Sequence, residues 1–257
     1  MPAASPGAVA KRLHAQIVGG LERAAGRRAA VGRAHGQAEP ISSYGLTENE
    51  GRDVFKRWFA QVQDLSLEER FALARLLLAS HVEEQGNLAL AVLRTGIAEL
   101  TPATFDDIDG LLDDFTSWSI TDDFASGKPS ITAALLERYP KETLRLHERW
   151  LTSANRWKRR ASVITFTRRV AAEGRYVAET LRFCEALQHD PEDLVQKAVG
   201  WALKDTTRAG PGPKRRVLAL VKRMRRAGIP STITLYAIRD LKGAEREAVL
   251  RVKPASR

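Results

Sequence analysis

The chain predicts an all-α fold, and three observations carry that expectation. Apolar residues recur at helical spacing from the first segment to the last. No run shows sustained strand alternation. Capping signals, Pro and Gly fall between the apolar runs, where helices start and stop. The helices are roughly one to two dozen residues long, with short turns between them. An amphipathic pair of that length cannot bury its face alone, so pairs stacking on their neighbours give an α-solenoid. Self-similarity between pairs is weak, which leaves a globular helical bundle as the other architecture.

Ser5 and Pro6 read as an N-cap followed by Pro in the first turn. Leu13, Ile17, Leu21 and Ala24 follow at spacings of four, four and three, with most of the nearby Lys and Arg off that stripe. Residues 26–40, rich in Gly, Ala and Arg, read as the frayed end of this helix and a loop. Thr47-Glu-Asn-Glu50 fits a capping box for a helix with Val54, Phe55, Trp58 and Phe59 on its apolar face, and Ser66-Leu-Glu-Glu69 offers another start. The helix after Ser66, carrying Phe71, Leu73, Ala74, Leu76, Leu77 and Leu78, is largely buried. Gly86 is expected to interrupt before Leu88–Leu93, and Thr101-Pro102 to open the helix with Ile108, Leu111, Leu112 and Phe115.

After Trp118–Asp122, Gly127-Lys-Pro129 is a turn, and the next helix stops at Pro140. His147–Phe166 reads as one long helix, because Trp150, Ala154, Trp157, Ala161 and Ile164 repeat at four, three, four and three. Val177–Leu187 is another, and Pro191 starts the one that carries Trp201. Ala209-Gly-Pro-Gly-Pro213 reads as a loop, Arg216–Ala227 as a basic helix, and Pro230-Ser231 as the start of a last helical piece through Leu250. The organisation expected is an N-terminal helix and basic loop over residues 1–40, then one continuous helical domain over 41–257 that can include the first helix.

The 257 residues, 44% of them hydrophobic, suffice for one sizeable domain or two small ones. A formal net charge of +10 favours a polyanionic partner, through long-range attraction and counterion release. The bland alternative is a solenoid that binds proteins and carries its charge for solubility. One cysteine, Cys184, makes no intrachain disulfide and no zinc cluster, and its apolar surroundings read as core. The chain therefore suits a reducing cytosol. No apolar run approaches the roughly 20 residues of a membrane span. The Arg-rich N-terminus reads as an ordinary first helix ahead of a transit peptide. Walker-type and Rossmann glycine loops are absent, and the five histidines show no metal-ligand spacing.

Three short segments could carry chemistry. Trp118 and Asp122 lie four apart, one turn apart on one helix face. An aspartate there is ordinarily a solvated or capping residue. At the mouth of a concave surface it could stabilise an oxocarbenium ion and hold a water. Asp123 points about a third of a turn away. In Asn155-Arg-Trp-Lys-Arg-Arg160, Trp157 belongs to the apolar stripe. Lys158, Arg159 and Arg160 form either a solvated charge run or a phosphate-binding set. In Lys197-Ala-Val-Gly-Trp201, the glycine permits close helix packing, and the tryptophan is either core or an indole that packs on a sugar or base. A late basic cluster from Lys214 to Arg226 is a solvated face or an electropositive wall.

In order and spacing, Tyr44-Gly45, the His81-Val-Glu-Glu-Gln segment and these three signatures resemble the DNA alkylation repair enzymes of the AlkD type, the HEAT-like-repeat DNA glycosylases. The resemblance runs from about Tyr44 to about Leu203, and more loosely to the C-terminus. It implies a superhelical stack of HEAT-like helix pairs with a basic concave face. It implies excision of N3- and N7-alkylated purines from double-stranded DNA in base excision repair, by a cytoplasmic monomer with no metal and no organic cofactor. By the resemblance, Asp122 takes the catalytic carboxylate position, and Trp118 and Trp201 are the tryptophans that pack around the damaged nucleotide's sugar. Arg160 takes the arginine near the phosphate, with Arg159, Lys158, Tyr44 and Lys197 as further DNA contacts. The alternative within this family is a relative that binds branched or distorted DNA without catalysis.

Overall fold

A computed structural model describes residues 6–28, 30–33, 37 and 39–254. The fold is all-α apart from one small ribbon, and is built from successive packed helix pairs. The chain divides at Tyr139/Pro140 into two compact units.

The first unit opens with α1 (Pro6–Ala25), whose Leu13, Ile17 and Leu21 are buried as the spacing requires. The proposed cap Ser5 lies outside the described residues. β1 (Ala30–Arg33) and β2 (Pro40–Ser43) then pair antiparallel where a loop was expected. Ile41 anchors the ribbon in the core. Strands this short show too few alternations to register as a period of two. Both capping boxes form: Thr47 opens α2 (Glu48–Lys56) with Glu50, and Ser66 opens α4 (Leu67–Leu78) with Glu69. The backbone and side-chain hydrogen bonds from Thr47 to the Glu50 carboxylate hold its pKa down to about 2. Val54 and Phe55 are buried, but Phe59 is exposed and sits in a separate short helix, α3 (Phe59–Gln63), so the apolar face ends earlier than its spacing suggests.

α5 (Glu83–Thr95) runs straight through Gly86. This glycine interrupts nothing; a Cβ there would meet the Ile120 Cδ1 at 2.4 Å, so its role is to let another helix approach. A short turn at Pro102–Thr104 leads into α6 (Phe105–Leu111), and then come α7 (Trp118–Ser126) and α8 (Ile131–Arg138). α1 packs along α4, α4 along α5, and α5 along α7.

Pro140 opens both the second unit and α9 (Pro140–Leu151). The single helix expected over 147–166 is two: α10 (Arg156–Ile164) follows a break at residues 152–155. Trp150, Trp157, Ala161 and Ile164 are buried, but Ala154, inside the break, is exposed, and local polar side chains take the backbone. Ser153 Oγ accepts the Asn155 N–H at 3.1 Å, and Asn155 Oδ1 accepts that of Trp157 at 2.8 Å. Next come α11 (Arg168–Glu173), α12 (Val177–Ala186) and α13 (Asp193–Thr206). α14 (Pro211–Arg226) begins inside the Gly-Pro-Gly-Pro stretch read as loop, because Pro has no N–H to lose in a first turn. The last piece is split into α15 (Ser231–Ala237) and α16 (Gly243–Leu250). Trp150, Phe166 and Phe183 form the fully buried aromatic core, with His147 against Trp150 at 4.9 Å and Phe166 at 5.7 Å. Burial pushes the His147 imidazole down to about 4, so it is neutral at pH 7, and Nδ1 lies 3.2 Å from the Ser162 carbonyl. Cys184 is wholly buried and its thiol is pushed up by that burial.

Candidate nucleic-acid site

In the first unit the candidate residues are assembled on α5. Glu84, buried at the start of that helix, accepts three hydrogen bonds: Ser43 Oγ at 2.8 Å, Tyr44 N–H at 2.9 Å and Leu46 N–H at 3.0 Å. They clamp the segment after β2. Gln85 Nε2 donates to the Tyr44 hydroxyl at 2.8 Å, and partial burial raises that phenol's pKa. Tyr44 is therefore a half-buried ring of fixed orientation.

α7 is held to the same helix. Ser119 Oγ donates to Glu83, and Gly86 lets Ile120 press against α5. Ser117 caps α7, its Oγ accepting the Ile120 N–H at 3.2 Å. Gln37 brackets the cap, donating to the Thr116 carbonyl at 2.8 Å and accepting from the Trp118 N–H at 3.4 Å. Trp118 is thus the first residue of a rigidly seated helix, and Asp122 follows on the same face, 8% exposed. Trp118 is half-buried, and its Nε1 has no hydrogen-bond partner among the described residues. The neighbouring Asp123 is engaged elsewhere, by Arg94 Nη1 at 2.8 Å, which ties α5 to the end of α7.

In the second unit α10 and α13 pack together. Lys158 and Arg160 are buried rather than fanned into solvent, and Arg160 Nη1 donates to the Leu194 carbonyl at the start of α13. Arg159 is paired with the buried Asp190, Nε to Oδ2 at 2.6 Å, and also donates to the carbonyls of Ser153 and Ala154. The run is not a solvated one: Arg159 pins the turn before α10, and Arg160 ties α10 to α13. Lys197 is the most exposed of the candidate cations and pairs with Asp193 one turn back at 2.5 Å.

Trp201 is half-buried on α13. Its Nε1 donates to Asp205 Oδ2 at 2.8 Å, and the Arg168 guanidinium lies over the ring, 5.3 Å from its centroid. Gly200 does what a helical glycine next to a contact should do. A Cβ there would meet the Tyr236 Cβ at 2.7 Å and the Ile233 carbonyl oxygen at 3.0 Å, so α15 lies close against α13. Sequence reasoning missed Glu84, Gln37 and Asp205. Two of them carried a signal: Glu84 lies in the His81-Val-Glu-Glu-Gln segment, and Asp205 repeats the Trp-x-x-x-Asp spacing of Trp118 and Asp122.

Among the described residues, no helix is long and apolar enough to cross a membrane, and no three His, Cys, Asp or Glu are grouped to hold a metal ion. What the structure holds is a helical scaffold with a carboxylate–indole pair in one unit and a cation-flanked indole in the other. The model of the DNA alkylation repair enzyme family matches residues 21–241, most of the chain, and the protein belongs to that family. Its role is in DNA alkylation repair. No curated relative matches the chain.

Proposed function

We propose that this DNA alkylation repair enzyme is a glycosylase that hydrolyses the N-glycosidic bond of N3- and N7-alkylated purines in duplex DNA. The observation that carries the reading is the pair Trp118–Asp122 on α7, a carboxylate and an indole one turn apart on a helix seated by Ser117, Gln37 and Glu83. Family membership supports the DNA partner, and the net charge of +10 fits it.

Alkylation at N3 or N7 places a positive charge on the purine. When the C1′–N bond breaks, its electron pair returns to the base nitrogen and neutralises that charge, so the base leaves without a proton donor. The positive charge passes to the deoxyribose as an oxocarbenium ion. Asp122 stabilises it electrostatically and receives the proton of the water that adds at C1′. Trp118 offers a π-face to the same charge, and Trp201 is assigned the second indole contact to the sugar. Lys158, Arg160, Lys197 and Tyr44 are assigned to the DNA backbone. Arg159 would have to leave Asp190 to reach a phosphate, so it is reassigned to holding the turn before α10.

The test compares the wild type with Asp122→Asn on duplex DNA containing 7-methylguanine. Abasic sites from the wild type, a large loss in the variant and near-equal DNA affinity are expected. Equal release by both proteins removes Asp122 from the mechanism, and binding without release by either favours a non-catalytic DNA binder.

A further inference from the structure

Asp205 is almost wholly buried near the end of α13, yet it faces four donors. Its Oδ2 accepts the Trp201 indole N–H at 2.8 Å and the Arg168 backbone N–H at 2.9 Å. Its Oδ1 lies 3.2 Å from Lys204 Nζ and 3.5 Å from Arg208 Nη1, in ion-pair range without hydrogen-bond alignment. A buried carboxylate is tolerated when it is this well compensated. Arg168 has a left-handed backbone, φ 49°, which is uncommon for a residue other than glycine. That conformation aims its N–H at Asp205, while its guanidinium lies over the Trp201 ring. One residue thus makes both contacts to the pair.

We propose that Asp205 is a positioning residue for Trp201, holding the indole by its N–H so that, with Arg168 over one face, a single ring face is offered to nucleic acid. The torsion that swings an indole about its Cβ–Cγ bond has broad minima, so packing alone fixes it loosely. A charge-assisted hydrogen bond to the ring edge narrows it. Helical side chains lean toward the N-terminus, so an aspartate four residues after a tryptophan can reach back to the indole edge. The rival role for Asp205 is purely structural, a counter-ion for buried Lys204. What the held indole serves rests on the glycosylase reading above.

The test uses the full-length protein with ¹⁵N-labelled indoles. The Trp201 N–H resonance is assigned by its absence in Trp201→Phe. In the wild type it is expected to exchange with solvent at least about tenfold more slowly than in Asp205→Asn, the change that loss of one charge-assisted bond brings. Affinity for an abasic-site duplex is expected to fall about fivefold in Asp205→Asn, and not to fall further when the same change is made in Trp201→Phe. An equal fall with and without the indole assigns Asp205 to Lys204 and overturns the proposal. Should Asp205→Asn fail to fold, the wild type decides alone: a Trp201 N–H that exchanges like a solvent-exposed indole overturns it. A wild type that binds the abasic-site duplex but releases no base from duplex DNA containing 7-methylguanine defeats the glycosylase reading and leaves these outcomes as they stand.

Discussion

Two tryptophans in this protein are each followed, four residues on, by an aspartate, and the two pairs are built in opposite ways. On α13, Trp201 donates to its own Asp205, which also takes the Arg168 N–H and faces Lys204 and Arg208. On α7, Trp118 Nε1 has no acceptor among the described residues, so Asp122 does not receive it. The spacing is therefore not the chemistry. It puts an acid beside an indole, and the surroundings decide whether the acid anchors the ring or is kept from it. The α13 pair is a structural unit that presents a ring. The α7 pair keeps its carboxylate for something other than its neighbouring indole.

The largest effect that can break this contrast is on turnover. Asp122→Asn is expected to slow excision of 7-methylguanine by about a hundred- to a thousandfold, the usual size for one electrostatic group at a transition state. Its thermal stability should stay near that of the wild type. Asp205→Ala should show the reverse balance. It leaves the buried Lys204 ammonium with only Asp240, at 3.8 Å, and frees the Arg168 N–H, and is expected to cost about 3 kcal/mol of unfolding free energy in a urea titration. If Asp122→Asn were instead the destabilising change, the two acids would have been assigned the wrong way round.

Glycines behind each pair give the next test, of a smaller effect. A methyl at Gly200 meets the Cβ of Tyr236 and the carbonyl oxygens of Ile233 and Thr232, none of which can swing aside. A methyl at Gly86 meets the far end of Ile120, which can. Gly200→Ala is therefore expected to cost about 1–3 kcal/mol through overpacking, more than the helix propensity it recovers. Gly86→Ala should lie within about 1 kcal/mol of the wild type, since propensity and a rotamer shift nearly cancel. Equal losses at the two sites would mean that α5 and α7 are packed as rigidly as α13 and α15.

The same contrast shows what can be read from the chain. Local signals were legible: both capping boxes, the buried stripe of α1, and Gly200 as a point of close approach all depend on residues within a turn or two of each other. The placement of Trp118 and Asp122 one turn apart on a helix was legible for that reason. Signals that another segment supplies were not. Arg159 and Arg160 read as part of a solvated or phosphate-binding charge run until Asp190 and Leu194 arrive from more than 30 positions away. Glu84 looks like any helix-start acid until the segment after β2 folds over it. The break at 152–155 is hidden in the sequence because Ala154 keeps the apolar spacing between Trp150 and Trp157, although it is exposed in the structure. Asp205 has the spacing of a partner for Trp201, but its role depends on the Arg168 N–H, which reaches it from 37 positions away.

The smallest expected effect separates the two indoles themselves. Trp201→Phe removes a donor from Asp205, leaving a buried charged oxygen with one hydrogen bond fewer, and is expected to cost about 1–2 kcal/mol. Trp118→Phe removes an N–H that is buried without an acceptor, so the desolvation it relieves offsets the lost ring area, and stability should change by less than about 1 kcal/mol. Chemical denaturation of the two variants side by side measures the difference, and m-values equal to that of the wild type would show that the unfolded state is not its source. A Trp118→Phe loss as large as that of Trp201→Phe would mean that the Trp118 N–H finds an acceptor in solution, and the contrast between the pairs would then rest on Arg168 and Lys204 alone.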